Sequence, residues 1–256
     1  MPIILSIETS TKSCSAAIHQ DSKLLSISEL YNEKSSSGML TTLIEHVVKT
    51  ASLTFQDLDA IAVAKGPGSY TGLRIGVSTA KGLCFALEKP LIAVNTLEVM
   101  ASSICERFAV RFLIPNSESE IANRIATANH SEIIKILLCP MLDARRMEVY
   151  CAVYQSDKMA VVETTQAKII EETSFADLLQ NHKIIFFGDG AEKCRAILSK
   201  HPNAIFLNET LNPSAKSVGI LATKAFENNK FENVADLEPY YLKEFMTTTP
   251  KKVKFD

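Results

Sequence analysis

Cysteine pairs at C-x-x-C spacing, a long apolar run and an excess of basic residues are all missing from this chain of 256 residues. Each absence removes a class of function. The six cysteines stand mostly in apolar surroundings, such as Cys84 in "GLCFAL" and Cys151 in "VYCAVY". They read as reduced core thiols, which points to a cytoplasmic protein rather than a disulfide framework or a cysteine metal site. The formal net charge of −2 leaves no basic footprint for strong autonomous nucleic-acid binding, although a local basic patch would not show in that total. No apolar run reaches the roughly 20 residues a bilayer needs, so no membrane span is expected. The apolar start "PIILSIE" is too short for a secretory leader and ends in Glu8. His19, His46, His130, His182 and His201 include no pair at i, i+3 or i, i+4, so no helix presents two metal ligands. There is no G-x-S-x-G elbow; Ser69 stands in a sequence of another kind.

What is present is a repeated plan. Hydrophobic residues make up 46% of the chain, enough for one large domain or two small ones. "IILSIETSTKSCSAAIHQDSKLLSISEL" alternates β-leaning stretches with short polar turns and reads as a β-meander. "SSSGMLTTLIEHVVKTA" follows with a helical apolar stripe of Met39, Leu40, Leu43, Ile44, Val47 and Val48. "LDAIAVAKGPGSYTG" is a strand running into a glycine-rich turn, and "LIAVNTLEVMASSIC" a strand and a helix capped at Asn95 or Thr96. "KILLCPMLDARRMEVYCAVYQSDKMAVVE" then opens the plan again, with Asp143 where Glu8 stood, and "KIIFFGDGAEKCRAIL" repeats strand, glycine turn and helix. The sequence thus reads as an α/β chain of two duplicated halves. One is 1–106, completed by a late helix at 213–228 that starts at Pro213 and Ser214. The other is 107–212, with a polar stretch at 111–131 and a polar, basic tail at 247–256.

The glycine turn "KGPGSYTGLRIG" raises the question of a phosphate cradle. The P-loop pattern fails, because five residues separate Gly66 from Gly72 and Leu73 stands where lysine is needed. The dinucleotide pattern fails too, with one residue too many. The helix beyond is the odder feature. Gly72, Gly76, Ala80 and Cys84 recur every four residues, although each interior glycine costs roughly 1 kcal/mol relative to alanine. Such a stripe serves a very close approach, either to the chain's own sheet or to a partner protein.

Glu8 and Asp143 are the candidate paired carboxylates. In ATPases and sugar kinases of the actin type, acids at such places hold the magnesium–nucleotide or the attacking group. Here the first hairpin turn, "TSTKS", lacks the glycines that let a backbone wrap a phosphate, and the second carries "RR". The alternative for Glu8 is a turn or cap residue.

"ILSIETSTKSCSAAI", "LDAIAVAKGPGSYTGLRIGVSTAKGLCFAL", "PLIAVNTLEVMA" and "MLDARRMEVYCAVY" closely resemble the bacterial TsaB (YeaZ) family. The resemblance is strong over the first hundred residues, and "FFGDGA" extends it through the second half. It implies an actin-like (ASKHA, ribonuclease H-like) fold of two related subdomains. It also implies a non-catalytic role in making threonylcarbamoyladenosine next to the anticodon of certain tRNAs. In that family the partner is a catalytic paralogue, TsaD, joined through a bundle of the two N-terminal helices of each subunit, and the pair recruits the ATPase TsaE. Carried over, the docking residues are Met39, Leu40, Leu43, Ile44 and Val47 on one helix and Gly72, Leu73, Gly76, Thr79, Ala80 and Leu83 on the other. The face would also account for a homodimer when the partner is absent. The chain would need no cofactor or metal of its own; ATP or ADP would sit only at the junction of the complex, and tRNA would be met through the complex. The helical histidine pair that binds metal in TsaD relatives has no counterpart in "SSSGMLTTLIEHVV". Ser36 and Ser37 stand where many TsaB relatives have histidine, Glu8 where aspartate is more usual, and 111–135 matches poorly. The rival reading is an ATPase or small-molecule kinase of the same fold.

Overall fold

The computed structural model describes residues 1–31, 36–113 and 136–243. The expected tail at 247–256, and the polar stretch at 111–131 beyond residue 113, lie outside them. β1 (Ile3–Glu8), β2 (Cys14–Gln20) and β3 (Lys23–Leu30) form the meander, followed by α1 (Ser36–Thr50), β4 (Ala60–Gly66), α2 (Tyr70–Leu87), β5 (Leu91–Asn95) and α3 (Thr96–Leu113). The plan returns as β6 (Ile136–Asp143), β7 (Glu148–Gln155), β8 (Val161–Ile169), α4 (Ala176–Asn181), β9 (Lys183–Phe187), α5 (Ala191–Leu198) and β10 (Ala204–Phe206). α6 (Ala215–Glu227) closes it.

The two five-stranded sheets have the orders β3-β2-β1-β4-β5 and β8-β7-β6-β9-β10. In each, the first strand pairs antiparallel with the second and parallel with the fourth. The duplication read from the sequence is therefore present in strand pairing. β1 and β6 are central and covered on both faces, so they read as nearly continuous apolar runs rather than alternating ones.

Around the first sheet, Leu5, Ile7, Ala16, Ile18, Ile61 and Val63 meet α1 and α2 on one face. Ile4, Ala62, Ala64, Ile92 and Val94 meet α3 and α6 on the other. α3 serves both halves: Val99 packs on the first sheet, while Leu97, Met100, Ala101 and Ile104 pack with Leu138, Ala152 and Ile185 of the second. Asn95 caps this helix by accepting from the N–H groups of Leu97 and Glu98, and its Nδ2 donates to Thr165 Oγ1 of β8 at 3.0 Å. Ser214 caps α6, its hydroxyl accepting from Lys216 N.

After α6 the chain runs back along the first half. Glu232 N donates to Leu91 O, Lys81 Nζ donates to the carbonyls of Ala235 and Leu237, and Tyr240 N donates to Lys65 O. Lys243 then crosses to the second half, bonding the Glu148 carboxylate and the Ala144 carbonyl.

Candidate functional site

The glycine turn between β4 and α2 is closed by the chain's own β1–β2 turn. Ser69 N donates to Ser10 O at 2.6 Å, and Thr9 Oγ1 donates to Gly72 O at 2.7 Å. A Cβ on Gly68 would fall closer than 3.0 Å to Ser10 O, and one on Gly72 equally close to Thr9 O. Gly68 and Gly72 are therefore glycine because backbone meets backbone there. Ser69 caps α2, its Oγ accepting from Gly72 N. Two of the N–H groups that could have faced a phosphate are thus already engaged.

The same holds at both hairpin turns. Glu8 Oε1 accepts the N–H of Ser10 at 2.5 Å, and Asp143 Oδ1 accepts the N–H of Arg145 at 3.0 Å. In each half the carboxylate that ends the first strand thus folds back onto the backbone two residues on, as in an Asx-type turn. Glu8 and Asp143 each hold one N–H of their own turn.

Their environments differ. Glu8 is fully buried with Oε2 unpartnered; burial pushes its carboxyl up to about 7 against the opposing hydrogen bonds from Ser10. Asp143 is exposed and ion-paired with Lys193. Its carboxyl lies below the ordinary value: partial burial opposes this, and the hydrogen bonds from Lys193 and Arg145 together outweigh it.

The predicted docking residues require a correction. Leu40, Leu43, Ile44 and Val47 are buried under α1 against their own sheet, and Leu73 and Ala80 are buried under α2. Gly72 and Gly76 face Thr9. A stripe every four residues could face either way, and here it faces inward. Met39, Thr79 and Leu83 are the members that reach solvent. The outer surface of α2 holds a second small-residue row that the sequence reading missed: Thr71, Ser78, Gly82 and Ala86, flanked by Phe85, which is 84% exposed. A Cβ on Gly82 would meet nothing within 4 Å. Among the described residues, no three histidine, cysteine, aspartate or glutamate side chains are grouped as metal ligands, and no helix is long and apolar enough to cross a membrane.

Two β-meander halves with the same strand order, joined through α3, define the actin-like, ribonuclease H-like class. In sequence the chain is similar to the TsaB (YeaZ) proteins. It is 28% identical over 243 residues, 94% of each chain, to the tRNA threonylcarbamoyladenosine biosynthesis protein TsaB of Escherichia coli. It is 32% identical to the Bacillus subtilis TsaB over 152 residues, 59% of this chain and 55% of that one. YeaZ from Pseudomonas aeruginosa superimposes with a TM-score of 0.71 at 23% identity, over 94% of this chain and 100% of that one. The family model for TsaD, tRNA N6-adenosine threonylcarbamoyltransferase, matches residues 31–111.

Proposed function

We propose that this protein is a non-catalytic scaffold subunit of the machinery that makes threonylcarbamoyladenosine in tRNA. It pairs with a TsaD-like paralogue and supports recruitment of a TsaE-like ATPase in the cytoplasm. The observation that carries the non-catalytic part is the pair of internally capped hairpin turns at Glu8 and Asp143. Each of these bonds takes a backbone donor that a transferring phosphoryl group would otherwise be offered.

The docking surface is the outer side of α1 and α2. It includes Met39, Thr79, Leu83, Gly82 and Phe85 rather than the buried members of the predicted set. Gly82 and its small neighbours would let a partner helix come close, and Phe85 would bury its ring there. The same surface would serve a homodimer when the partner is missing.

Co-expression with a TsaD-like protein and measurement of particle size tests the reading. A stable one-to-one complex is the expected result. The isolated chain should hydrolyse ATP no faster than buffer. Sustained turnover abolished by Glu8→Gln or Asp143→Asn would overturn the scaffold reading in favour of an ATPase or kinase.

A further inference from the structure

Three segments far apart in sequence converge beside the glycine turn. Tyr70, at the start of α2, stacks on Tyr241 of the C-terminal segment with ring centroids 4.6 Å apart and planes 25° from parallel. Both rings remain more than a third exposed, as does Tyr240. Arg74, one helical turn on, is exposed and faces Tyr241. Two residues beyond Tyr241, Lys243 is bonded to Ala144 O and Glu148. That ties the segment carrying Tyr241 to the β6–β7 turn, where Arg145 and Arg146 are exposed.

The backbone of that turn is unusual. Arg145 has φ 71° and Arg146 φ 52°, both left-handed. Left-handed φ favours glycine, asparagine and aspartate, because the Cβ of other residues crowds the following carbonyl oxygen there. Arginine at both positions is held at a steric cost. Among the described residues neither arginine, nor Arg74, forms an ion pair. The nearest carboxylates are committed: Asp143 to Lys193, Glu148 to Lys243, and Asp189 to the N–H of Asp143. Glu238 is the remaining acid beside Tyr241.

We propose that this surface binds single-stranded RNA. Arg145, Arg146 and Arg74 contact phosphates, and an unpaired base continues the Tyr70–Tyr241 stack. Exposed arginines without ion pairs among the described residues point to an anion, and exposed stacked aromatic rings on the segment tied to their turn point to one that carries bases. The near-neutral total charge does not oppose this, since the patch is local. The proposal rests on the tRNA reading above for the source of the RNA.

The test uses the full chain and fluorescence anisotropy with a labelled hairpin RNA bearing an unpaired loop, against a duplex of equal length. The loop RNA should bind more tightly. Arg145→Asn/Arg146→Gly should weaken binding about tenfold and flatten the salt dependence by roughly 1.4 in log–log slope, two phosphates at ~0.7 each. Its melting temperature should hold or rise, because Asn-Gly suits the turn. Tyr241→Ala should weaken binding roughly 5- to 150-fold and leave the salt slope alone. Unchanged affinity in the turn variant overturns the proposal. Full competition by ADP with no preference for RNA would reassign the surface to a free nucleotide, and equal competition by polyglutamate to an acidic protein segment. Pairing with the TsaD-like protein, measured in parallel, separates the two readings: intact pairing without RNA binding sinks this inference alone, and lost pairing sinks the scaffold reading.

Discussion

Thr9 stands where a side chain on Gly76 would have to go. Its Oγ1 lies closer than 3.0 Å to a Cβ built on that glycine, while the same hydroxyl donates to Gly72 O one turn earlier. The β1–β2 turn and α2 are thereby locked together at a spacing that only glycine permits.

Gly76→Ala should therefore destabilise the chain by about 1–3 kcal/mol, as overpacking of a tight contact does. Gly82→Ala, in the same helix with open space before it, should stabilise it by up to about 1 kcal/mol through helix propensity alone. Urea denaturation of the two variants checks the pair. Stabilisation by Gly76→Ala would mean the stripe does not face Thr9.

Two buried groups make opposite contributions to the pH dependence of stability. Folded Glu8 holds its proton up to about 7 instead of 4.5, so its contribution falls as pH rises through that window. His19 is fully buried with both ring nitrogens unpartnered, against Gly219 of α6. Burial, then the nearby Lys216, lowers it from 6.5 to about 4. The unfolded chain takes up that proton first, so its contribution falls as pH drops from 6.5 to 4. Each is worth about 3 kcal/mol across its window, and where the windows overlap they offset. Glu8→Gln should uncover a stability that rises from pH 4 to 6.5. His19→Leu should uncover one that falls from pH 4.5 to 7. Melting curves across this range decide it, and a flat profile in both variants contradicts the assignment.

Asn95→Ala removes the acceptor for two N–H groups at the start of α3 and the bond to Thr165. A lost N-cap typically costs ~1 kcal/mol, and here the shared helix adds the cross-half bond, so about 1–2 kcal/mol is expected. Hydrogen exchange should show the loss at both the first turn of α3 and β8. Loss at α3 alone would mean that the Thr165 bond contributes nothing.

Phe85→Glu should leave the melting temperature within about a degree, since the ring is exposed in the isolated chain. It should weaken pairing with a TsaD-like protein at least tenfold, as loss of a buried aromatic anchor does. Unchanged pairing in sedimentation would move the docking surface away from the outer side of α2.

Much of the architecture was legible in the residues. The order of strands and helices, the repeat that sets Asp143 over Glu8, a cap at Asn95 or Thr96 and the helix start at Pro213 and Ser214 all follow from local chemistry. Periodicity and capping are properties of a few consecutive side chains. Spacing alone also removed the P-loop and dinucleotide readings. Which side of α2 faces inward was not legible, because small residues recur on two of its sides: Gly72, Gly76 and Ala80 on one, Ser78, Gly82 and Ala86 on the other. Only contact with Thr9, brought from β1 by parallel pairing with β4, distinguishes them. The stack of Tyr70 on Tyr241 and the bond of Lys243 to the β6–β7 turn likewise arise from the path of the C-terminal segment across both halves. The sequence determines which segments are strands and helices because those preferences are local. The tertiary structure decides which atoms meet, because that depends on how elements distant along the chain pack.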